Sequence, residues 1–486
     1  MENSQGEAIE VLVDCCASKT PTLIRRMFLV SLCVCNLSDA VAVVSGGYIL
    51  GYLNGIALID MEMLGASVTI GMLVGGVILG PMGDVVGRKT CLQMSTLISA
   101  LAALASAFSP NETLLITLRV IMGIGVGGMS PAIFSMSSEL LPSAMKDRLL
   151  TIIASAWILG AIYASVAGWI ILGDDAYGRR ICPGLTWRAY AIVCAAPSFL
   201  AWLSTFQLIE SPSFLIQRGK LESAAATLSY MSDEEVSVDA IKMYGSHGKE
   251  HKESSSLLSL LKAPLKLPFA LLLLIWFTFS FTSSGVMTWT ATLFIELGYT
   301  NPFADASIMN FAELPGKIIA AFLIGKTGRR RMLAWGMCFA GISILGFAID
   351  STNVTTVLTC ISFYGFFIAF GTNGLFAVTA DSYFPTQLKS SAAGFLIAFG
   401  RIGAIAAQFV FGSMQSNIPK LLLITSVMTF FTAALAVVLP SNERMRTPAV
   451  SELKFFPEES IVSPMKHNDV LEKGIASTST KLAVDY

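Results

Sequence analysis

Long apolar stretches alternate with short polar segments along most of the chain. A helix that crosses the hydrocarbon core of a bilayer needs about 20 mostly apolar residues. Stretches of about this length predict membrane-spanning helices near 27–53, 63–83, 91–108, 114–138, 149–172, 189–209, 267–295, 303–325, 332–350, 354–380, 390–415 and 419–440. The pattern therefore predicts an all-α membrane protein with twelve transmembrane helices.

The predicted spans fall into two groups of six. Residues 27–209 would form an N-terminal six-helix bundle, and residues 267–440 would form a C-terminal one. Segment 210–266 between them is charged and rich in serine, so we expect a linker with some surface helix. Residues 1–26 and 441–486 are polar, and we expect the C-terminal tail to be disordered.

The composition excludes a water-soluble protein of this size. Hydrophobic residues make up 54% of the chain and charged residues only 13%, whereas about 25% of the residues in soluble domains are charged. The net charge of −1 gives no electrostatic basis for a nucleic-acid partner. The sequence shows no metal-binding cluster, nucleophilic triad or phosphate-binding loop. We therefore expect neither an enzyme nor a bound metal or cofactor.

Lysine and arginine concentrate on one predicted side of the membrane, with Arg329–Arg331 as the densest group. The other side carries only Arg179, Arg180, Arg188 and Lys420. The positive-inside rule then makes both termini and the linker cytosolic. Asn111 and Asn353 begin glycosylation sequons in loops on the external side, so both are candidate glycosylation sites.

The two halves share a loose internal repeat, because Gly80–Lys89 recurs as Phe322–Arg331. With this repeat, the chain resembles the major facilitator superfamily, whose two six-helix halves are related by an axis along the membrane normal. Its motifs are most similar to the branch of synaptic-vesicle-glycoprotein-like proteins, organic ion transporters and aromatic-acid symporters. The resembling segments are Asp39-Ala40, Arg119–Gly128, Glu139–Pro142, Trp187-Arg188, Glu210–Leu215, Ala312–Gly316, Phe384–Thr386 and Arg401–Ala404.

The resemblance implies two pseudo-symmetric bundles that transport a solute by alternating access. It also implies that Asp84 meets the positive N-terminal end of the eleventh span and keeps the cytosolic side closed, as favoured by the helix dipole. The second copy of the repeat has Gly325 in place of this aspartate. The sugar-porter signature after the sixth span is altered at Ser213, which weighs against a hexose carrier.

Three charged residues lie near the middle of their predicted spans: Asp39, Glu313 and Arg401. A charge at that depth costs at least about 2.5 kcal/mol on insertion scales, so it requires a functional or structural reason. Because carriers of this layout bind solutes near the midplane between their halves, we expect these residues to share a central cavity. Trp289 and Asn373 are further candidates. We prefer them as a pair, since the amide of an asparagine at membrane depth needs a partner.

Each central residue has an alternative role. Asp39 is the candidate for proton coupling, because a carboxylate in a low-dielectric cavity can bind and release a proton; the alternative is a neutral or paired structural residue. Arg401 either binds an anionic substrate through two parallel hydrogen bonds or pairs with Asp39 or Glu313. Glu313 either lines the site, beside a helix interrupted at Pro315-Gly316, or is neutralised by Lys317 four residues later.

A second group of charges lies at the expected cytosolic ends of the helices. We expect an inner gate there, and the alternative is loop charge exposed to solvent. Arg119 precedes several glycines, which let helices approach closely, so we expect it to have a mechanical role. The candidate gating residues are Asp84, Gly87, Arg88, Arg119, Glu139, Arg148, Asp381 and Lys389.

The sequence thus predicts a monomeric secondary active transporter of a small organic solute, an organic ion coupled to protons by symport. Its partners would be the small-molecule substrate, protons and the lipid bilayer. Two alternatives remain: an uncoupled facilitator of a neutral solute such as a sugar, and a transporter-like receptor without transport. The plasma membrane and an internal vesicle membrane are both compatible with the sequence.

Overall fold

The computed structural model describes residues 4–54, 60–142, 145–173, 187–239, 241, 266–379 and 386–440. The helices of the N-terminal part are α1 (Ser4–Lys19), α2 (Thr22–Leu53), α3 (Met61–Val86), α4 (Arg88–Ser106), α5 (Glu112–Leu140), α6 (Lys146–Leu172) and α7 (Trp187–Ser204). Two short helices follow, α8 (Pro212–Gln217) and α9 (Leu221–Ser232). The helices of the C-terminal part are α10 (Lys266–Glu296), α11 (Pro302–Thr327), α12 (Arg329–Ile349), α13 (Val354–Thr379), α14 (Thr386–Met414) and α15 (Ile418–Val438).

Each predicted span corresponds to one of the long helices, with ends that differ by a few residues. Within the described ranges, eleven helices are long and apolar enough to cross a membrane. The remaining predicted span, α4, begins with Arg88 and Lys89 and contains buried Ser95, Thr96 and Ser99, which make it more polar. It packs against α5 and α7 and so completes the first group of six.

Local sequence signals explain where several helices begin and end. Asp60 and Asn111 cap α3 and α5 by accepting hydrogen bonds from the backbone N–H groups of the first turn. The two copies of the repeat form the same structure, a helix end at a glycine with positive φ. Gly87 has φ 114° between α3 and α4, and Gly328 has φ 85° between α11 and α12. Glycine adopts this conformation without steric cost.

The helices of each group pack mainly with one another, and the two groups meet chiefly through the pairs α2 with α10, α3 with α14, and α6 with α11. These pairs are consistent with the two-fold relation that the repeat implies, because each group contributes its first, second and fifth long helix. The boundaries of the two bundles remain a prediction.

The helices outside the bundle pack together at one end of it. Val13 and Cys16 of α1 lie against Leu215 of α8 and Leu228 of α9 in a small apolar cluster. We call this end of the bundle the linker end, and the other end, where Asn54 and Glu296 lie, the opposite end. The sequence predicted only a polar segment before the first span, whereas residues 4–19 form a helix with an apolar face.

Candidate functional site

Asp39 is buried in the middle of α2, with 4% of its surface exposed. Its Oδ2 atom accepts a hydrogen bond of 2.8 Å from the Ser130 hydroxyl on α5. Burial of a carboxylate is costly unless it is hydrogen-bonded or neutralised. A single hydroxyl satisfies only part of its hydrogen-bonding capacity, so Asp39 is poised for a further partner or a proton.

Arg401 lies in α14 and faces Asp39 across the two groups of helices. The residue is partly exposed, and its charge interacts electrostatically with that of Asp39. No hydrogen bond or close ion pair joins Arg401 to the part of the chain that the structure describes. A cation that is held deep in a helix bundle without a direct partner is available to an anionic ligand.

Glu313 is paired with Lys317, one turn later on α11, at 3.0 Å between Oε1 and Nζ. This arrangement agrees with the neutralisation alternative. Lys317 also lies over the ring of Trp157 from α6, with Nζ 4.9 Å from the ring centroid. Asn373 donates a hydrogen bond of 3.4 Å to the carbonyl oxygen of Lys317. The pair therefore contacts the other half of the protein through Trp157.

The prediction that this helix is interrupted at Pro315-Gly316 is wrong. Helix α11 continues through Pro315 from Pro302 to Thr327. Gly316 allows close packing here, because a Cβ atom on it would lie 2.4 Å from the carbonyl oxygen of Phe366 on α13. Close packing by a neighbouring helix can support a continuous helix despite the hydrogen bond that proline removes.

Trp157 lies at the same height as Asp39. Asn36 of α2 donates a 2.7 Å hydrogen bond to the carbonyl oxygen of Ile153, and Gly160 packs on the backbone of Leu37. Trp157 lies four residues after Ile153 and three before Gly160, so the three residues share one face of α6. Sequence reasoning did not identify Trp157, because a single tryptophan in an apolar span is usually a packing residue.

Trp289 is fully buried in α10, and its indole N–H donates a 2.9 Å hydrogen bond to Oε1 of Gln408. The Gln408 amide in turn donates to Ser284 at 3.0 Å. Trp289 and Asn373 thus bond to different groups, and the structure does not pair them. Gln408 was missed, although the argument that a buried amide needs a partner applies to it as well.

A layer of contacts closes the bundle toward the opposite end. The hydroxyls of Tyr48 and Ser307 are 3.1 Å apart, and Asn310 donates to Ser165 at 2.7 Å. Tyr48 also stacks on Phe303, with ring centroids 6.0 Å apart. The described residues of the two halves meet through hydrogen bonds, ring contacts and glycines packed closely on the other half. All of these contacts lie at the middle of the bundle or nearer this end.

At the linker end, Arg88 connects the candidate gating residues of the first half. Its guanidinium lies 3.3 Å from Asp84 and 3.2 Å from Glu139. Glu210 caps α4 by accepting hydrogen bonds from the backbone N–H groups of Arg88 and Lys89, at 2.8 and 3.0 Å. Ser211 donates to Glu139, so these contacts join α3, α4, α5 and α8. Asp84 itself is 72% exposed.

Of the remaining candidate gating residues, Gly87 lies next to Arg88 and against Glu210, whereas Arg119 lies away from this cluster. Arg119 is buried nearer the opposite end, where its Nη1 atom donates a 3.1 Å hydrogen bond to Ser45; it is therefore separate from the Arg88 cluster. Asp381 lies outside the described residues, as do the side chains of Arg148 and Lys389.

Both candidate glycosylation sites lie in exposed turns at the opposite end. Asn111 accepts a hydrogen bond from the backbone N–H of Leu114, and Asn353 accepts one from Thr355, both through the side-chain carbonyl oxygen. These bonds use the side-chain carbonyl oxygens, and neither amide nitrogen donates a hydrogen bond to the described part of the chain. Their use as glycosylation sites remains a prediction.

The comparisons with known proteins identify the family. The model of the family described as "Sugar (and other) transporter" matches residues 30–441. The chain is 27% identical over 385 residues to the niacin transporter NiaP of Acinetobacter baylyi, covering 78% of this chain and 84% of that protein. It is 24% identical over 445 residues to the synaptic vesicle 2-related protein of Pongo abelii, covering 86% and 78%.

A shorter match is 35% identical over 174 residues to the synaptic vesicle glycoprotein 2B of Rattus norvegicus, covering 35% of this chain and 26% of that protein. The fold is similar to that of the xylose transporter XylE from E. coli in a partially occluded inward open conformation. The TM-score is 0.70 at 17% identity, and the match covers 86% of this chain and 100% of that one. The predicted superfamily and fold are confirmed: the chain belongs to the sugar (and other) transporter family of the major facilitator superfamily, and it is a multi-pass membrane transporter and not an enzyme.

Proposed function

We propose that the chain is a proton-coupled secondary active transporter of a small organic anion. The observation that carries this proposal is the central arrangement of Asp39 and Arg401, one in each half. Asp39 has one hydrogen-bond partner, and Arg401 is partly exposed without a direct partner in the described structure. A planar guanidinium matches a carboxylate group through two parallel hydrogen bonds.

The name of one relative supports this substrate class. The niacin transporter of Acinetobacter baylyi is named for a small aromatic acid and aligns with most of this chain. The altered sugar-porter signature points away from a sugar. Nicotinate is therefore the first probe for an anion that Arg401 would bind.

Asp39 is the proposed proton carrier. It lies at membrane depth, where ionisable side chains usually mark substrate or proton routes. The Ser130 hydroxyl donates to the ionised carboxylate, and it can also accept a hydrogen bond from the protonated acid. Asp39 can therefore be held in the same place in both protonation states.

Alternating access supplies the transport step. The contacts between the halves lie toward the opposite end, and Asp84 at the linker end is exposed. If the linker end is cytosolic, as the positive-inside rule predicts, this arrangement is inward-facing. The return to the outward-facing form would then break the Tyr48–Ser307 and Asn310–Ser165 contacts and close the linker end around Arg88.

The test is uptake by purified protein in proteoliposomes, with three pyridine probes of one shape and different charge. Nicotinate is an anion, nicotinamide is neutral, and 1-methylnicotinamide, which is methylated on the ring nitrogen, is a permanent cation. The proposal expects concentrative uptake of nicotinate in an inward proton gradient, abolished by a protonophore. Protein-free liposomes measure passive entry of the neutral acid.

Each alternative gives a different result in the same assay. Nicotinamide that only equilibrates, at a rate independent of pH, would support an uncoupled facilitator. Saturable binding of nicotinate without flux would support a receptor. Replacing Asp39 with Asn should abolish proton-driven accumulation, whereas unchanged pH dependence in this variant would refute the role of Asp39.

A further inference from the structure

The central part of the bundle contains two pairs of opposite charges among the residues that the structure describes. Glu313 and Lys317 form a direct pair of 3.0 Å on one helix. They belong to the same half, so they move together and contribute no net charge during a conformational change. Asp39 and Arg401 form the second pair, with one residue in each half. They interact electrostatically at longer range, without a hydrogen bond or a close ion pair between them.

Binding of an anion to Arg401 changes the balance of this second pair. The anion would become the direct counter-charge of the guanidinium, so an ionised Asp39 would lose its compensation. A buried charge without a partner is strongly unfavourable. Uptake of a proton by Asp39 removes that charge, and Ser130 can remain hydrogen-bonded to it.

Among the described side chains, the other titratable groups near Asp39 do not take over this role. On the helices packed against α2, the nearby titratable groups on the opposite-end side are Glu62, Arg119, Tyr163, Tyr190, Cys194 and Glu296. Arg119 is bonded to Ser45, and Glu296 accepts a hydrogen bond from Asn54. On the linker-end side, Glu139 is paired with Arg88. The field of the Arg401 guanidinium acts on Asp39 from α14, which packs against α3 of the other half.

We propose that each cycle carries one monovalent anion together with one proton, with no net charge moved across the membrane. The empty carrier holds ionised Asp39 and Arg401, and the loaded carrier holds protonated Asp39, Arg401 and the anion. The central charge is the same in both forms. The proton comes from water on one side, resides on the Asp39 carboxyl group, and leaves to water on the other side. This inference rests on the proposed function.

The same charge balance defines the substrate. A divalent anion would bring a second negative charge, and the only other central carboxylate in the described structure, Glu313, is already committed to Lys317. A cationic substrate would lie beside Arg401 with no free carboxylate once Asp39 is protonated. The site therefore fits a monocarboxylate better than a dicarboxylate or an organic cation.

The experiment measures nicotinate accumulation in proteoliposomes while the pH gradient and the membrane potential are set independently, with potassium and valinomycin. One-to-one neutral symport predicts accumulation of about tenfold per pH unit, with no effect of potential. Movement of one net charge would instead change accumulation about 50-fold at 100 mV. Two protons per anion would give about a hundredfold per pH unit.

The outcomes separate this inference from the function on which it rests. Proton-driven uptake that also responds to potential would overturn neutral one-to-one coupling and leave the proton-coupled transporter intact. Absence of proton-driven uptake would overturn both. Quinolinate, the 2,3-dicarboxylate of pyridine, should compete at least tenfold more weakly than nicotinate; equal competition would overturn the monoanion assignment.

The Asp39→Asn variant tests the coupling when overall uptake is lost. Its carboxamide is neutral, so it should still exchange labelled for unlabelled nicotinate while failing to accumulate it in a pH gradient. Exchange also shows that the variant is folded. Exchange that retains the pH dependence of the parent protein would overturn the assignment of the proton to Asp39.

Discussion

Gly47 of α2 lies directly against the backbone of Thr288 of α10, at the contact between the two halves. A Cβ atom on Gly47 would be 2.5 Å from the Thr288 carbonyl oxygen, whereas a Cβ atom on the adjacent Gly46 would meet nothing within 4 Å. Backbone atoms cannot move aside as a flexible side chain can. Closure toward the opposite end therefore depends on the absence of a side chain at one of two neighbouring glycines.

The Gly47→Ala variant should favour the conformation that is open at the opposite end. Overpacking costs about 1–3 kcal/mol, so we expect transport to fall about tenfold or more. Labelling of a cysteine introduced at Ser307 should increase, because the layer around Tyr48 would separate more often. The Gly46→Ala variant is the matched control and should transport normally. Equal effects of the two substitutions would show that the close approach at Gly47 does not control closure.

The sequence predicted the elements of this fold well, because a helix that spans a membrane requires a long run of apolar residues, and such runs are visible directly in the sequence. The central charges Asp39, Glu313 and Arg401 were also recognisable, since a charge stands out in an apolar span. Trp157, Gln408 and the layer around Tyr48 were not identified. Trp157 and Tyr48 are of types that commonly pack in apolar spans, and only the alignment of helices from different halves reveals their contacts. Gln408 is an amide in an apolar span, and the argument that was applied to Asn373 could have identified it.

A comparison of Gly87 with Gly328 separates backbone strain from packing at the linker end. Both have positive φ together with an extended ψ, a conformation that is open essentially to glycine alone, so alanine should cost about 1–3 kcal/mol at either position. A Cβ on Gly87 would also lie 2.4 Å from the Glu210 carboxylate, whereas none of the described structure is within 4 Å at Gly328. The Gly87→Ala variant should therefore lower the thermal unfolding midpoint more than the Gly328→Ala variant.

This difference should largely disappear when Glu210 is shortened. Because Glu210 caps α4, the Glu210→Ala variant will itself be less stable. On that background, however, most of the difference between the two glycine substitutions should be lost, because the remaining neighbour of a Cβ on Gly87 is the Phe214 ring at 3.3 Å. An undiminished difference would mean that Gly87 is constrained by something other than the Glu210 carboxylate.

The hydrogen bond between Trp289 and Gln408 should contribute to stability as a buried pair. The Trp289→Phe variant leaves the Gln408 oxygen without this donor, and an unsatisfied buried group costs about 1–3 kcal/mol. The Gln408→Leu variant leaves the indole N–H without its acceptor. The double variant should be less destabilised than the sum of the two single variants, measured by thermal unfolding in detergent. Additive effects would indicate that the bond contributes little.

The packing of α1 against α8 and α9 makes two adjacent cysteines differ in reactivity. Cys15 is exposed, and Cys16 is buried. Burial, together with the nearby Cys15 thiol, raises the pKa of Cys16, so its reactive thiolate is less populated. A maleimide should label Cys15 rapidly in the native protein and Cys16 at least tenfold more slowly. Variants that retain only one of the two cysteines allow the rates to be compared by mass spectrometry.

Similar labelling rates would show that α1 leaves the surface formed by α8 and α9 in solution. The Lys19–Glu234 ion pair, at 2.6 Å, also joins this region, but it is exposed and should contribute little. The Lys19→Met variant should therefore leave both rates unchanged. The Leu228→Ala variant removes apolar contact from the cluster and should accelerate labelling of Cys16.

The Glu313–Lys317 pair can be tested by removing the two charges separately and together. In the Glu313→Gln variant, Lys317 would lie beside Trp157 without its counter-charge and with only 11% of its side chain exposed, and breaking a fully buried pair costs about 3–5 kcal/mol. The Lys317→Met variant has the same defect with the opposite sign. The double variant has no unpaired charge, so its stability should return close to that of the parent protein. Thermal unfolding measures all three.

Transport by the double variant then distinguishes the two roles of this pair. If Glu313 and Lys317 only neutralise each other, the double variant should retain proton-driven nicotinate uptake with accumulation of about tenfold per pH unit. The Trp157→Leu variant is a useful companion, because it removes the contact across the halves but leaves the charges in place. A stable double variant that binds nicotinate but has a different proton requirement would show that Glu313 carries a proton, and the central charge balance would then include both carboxylates.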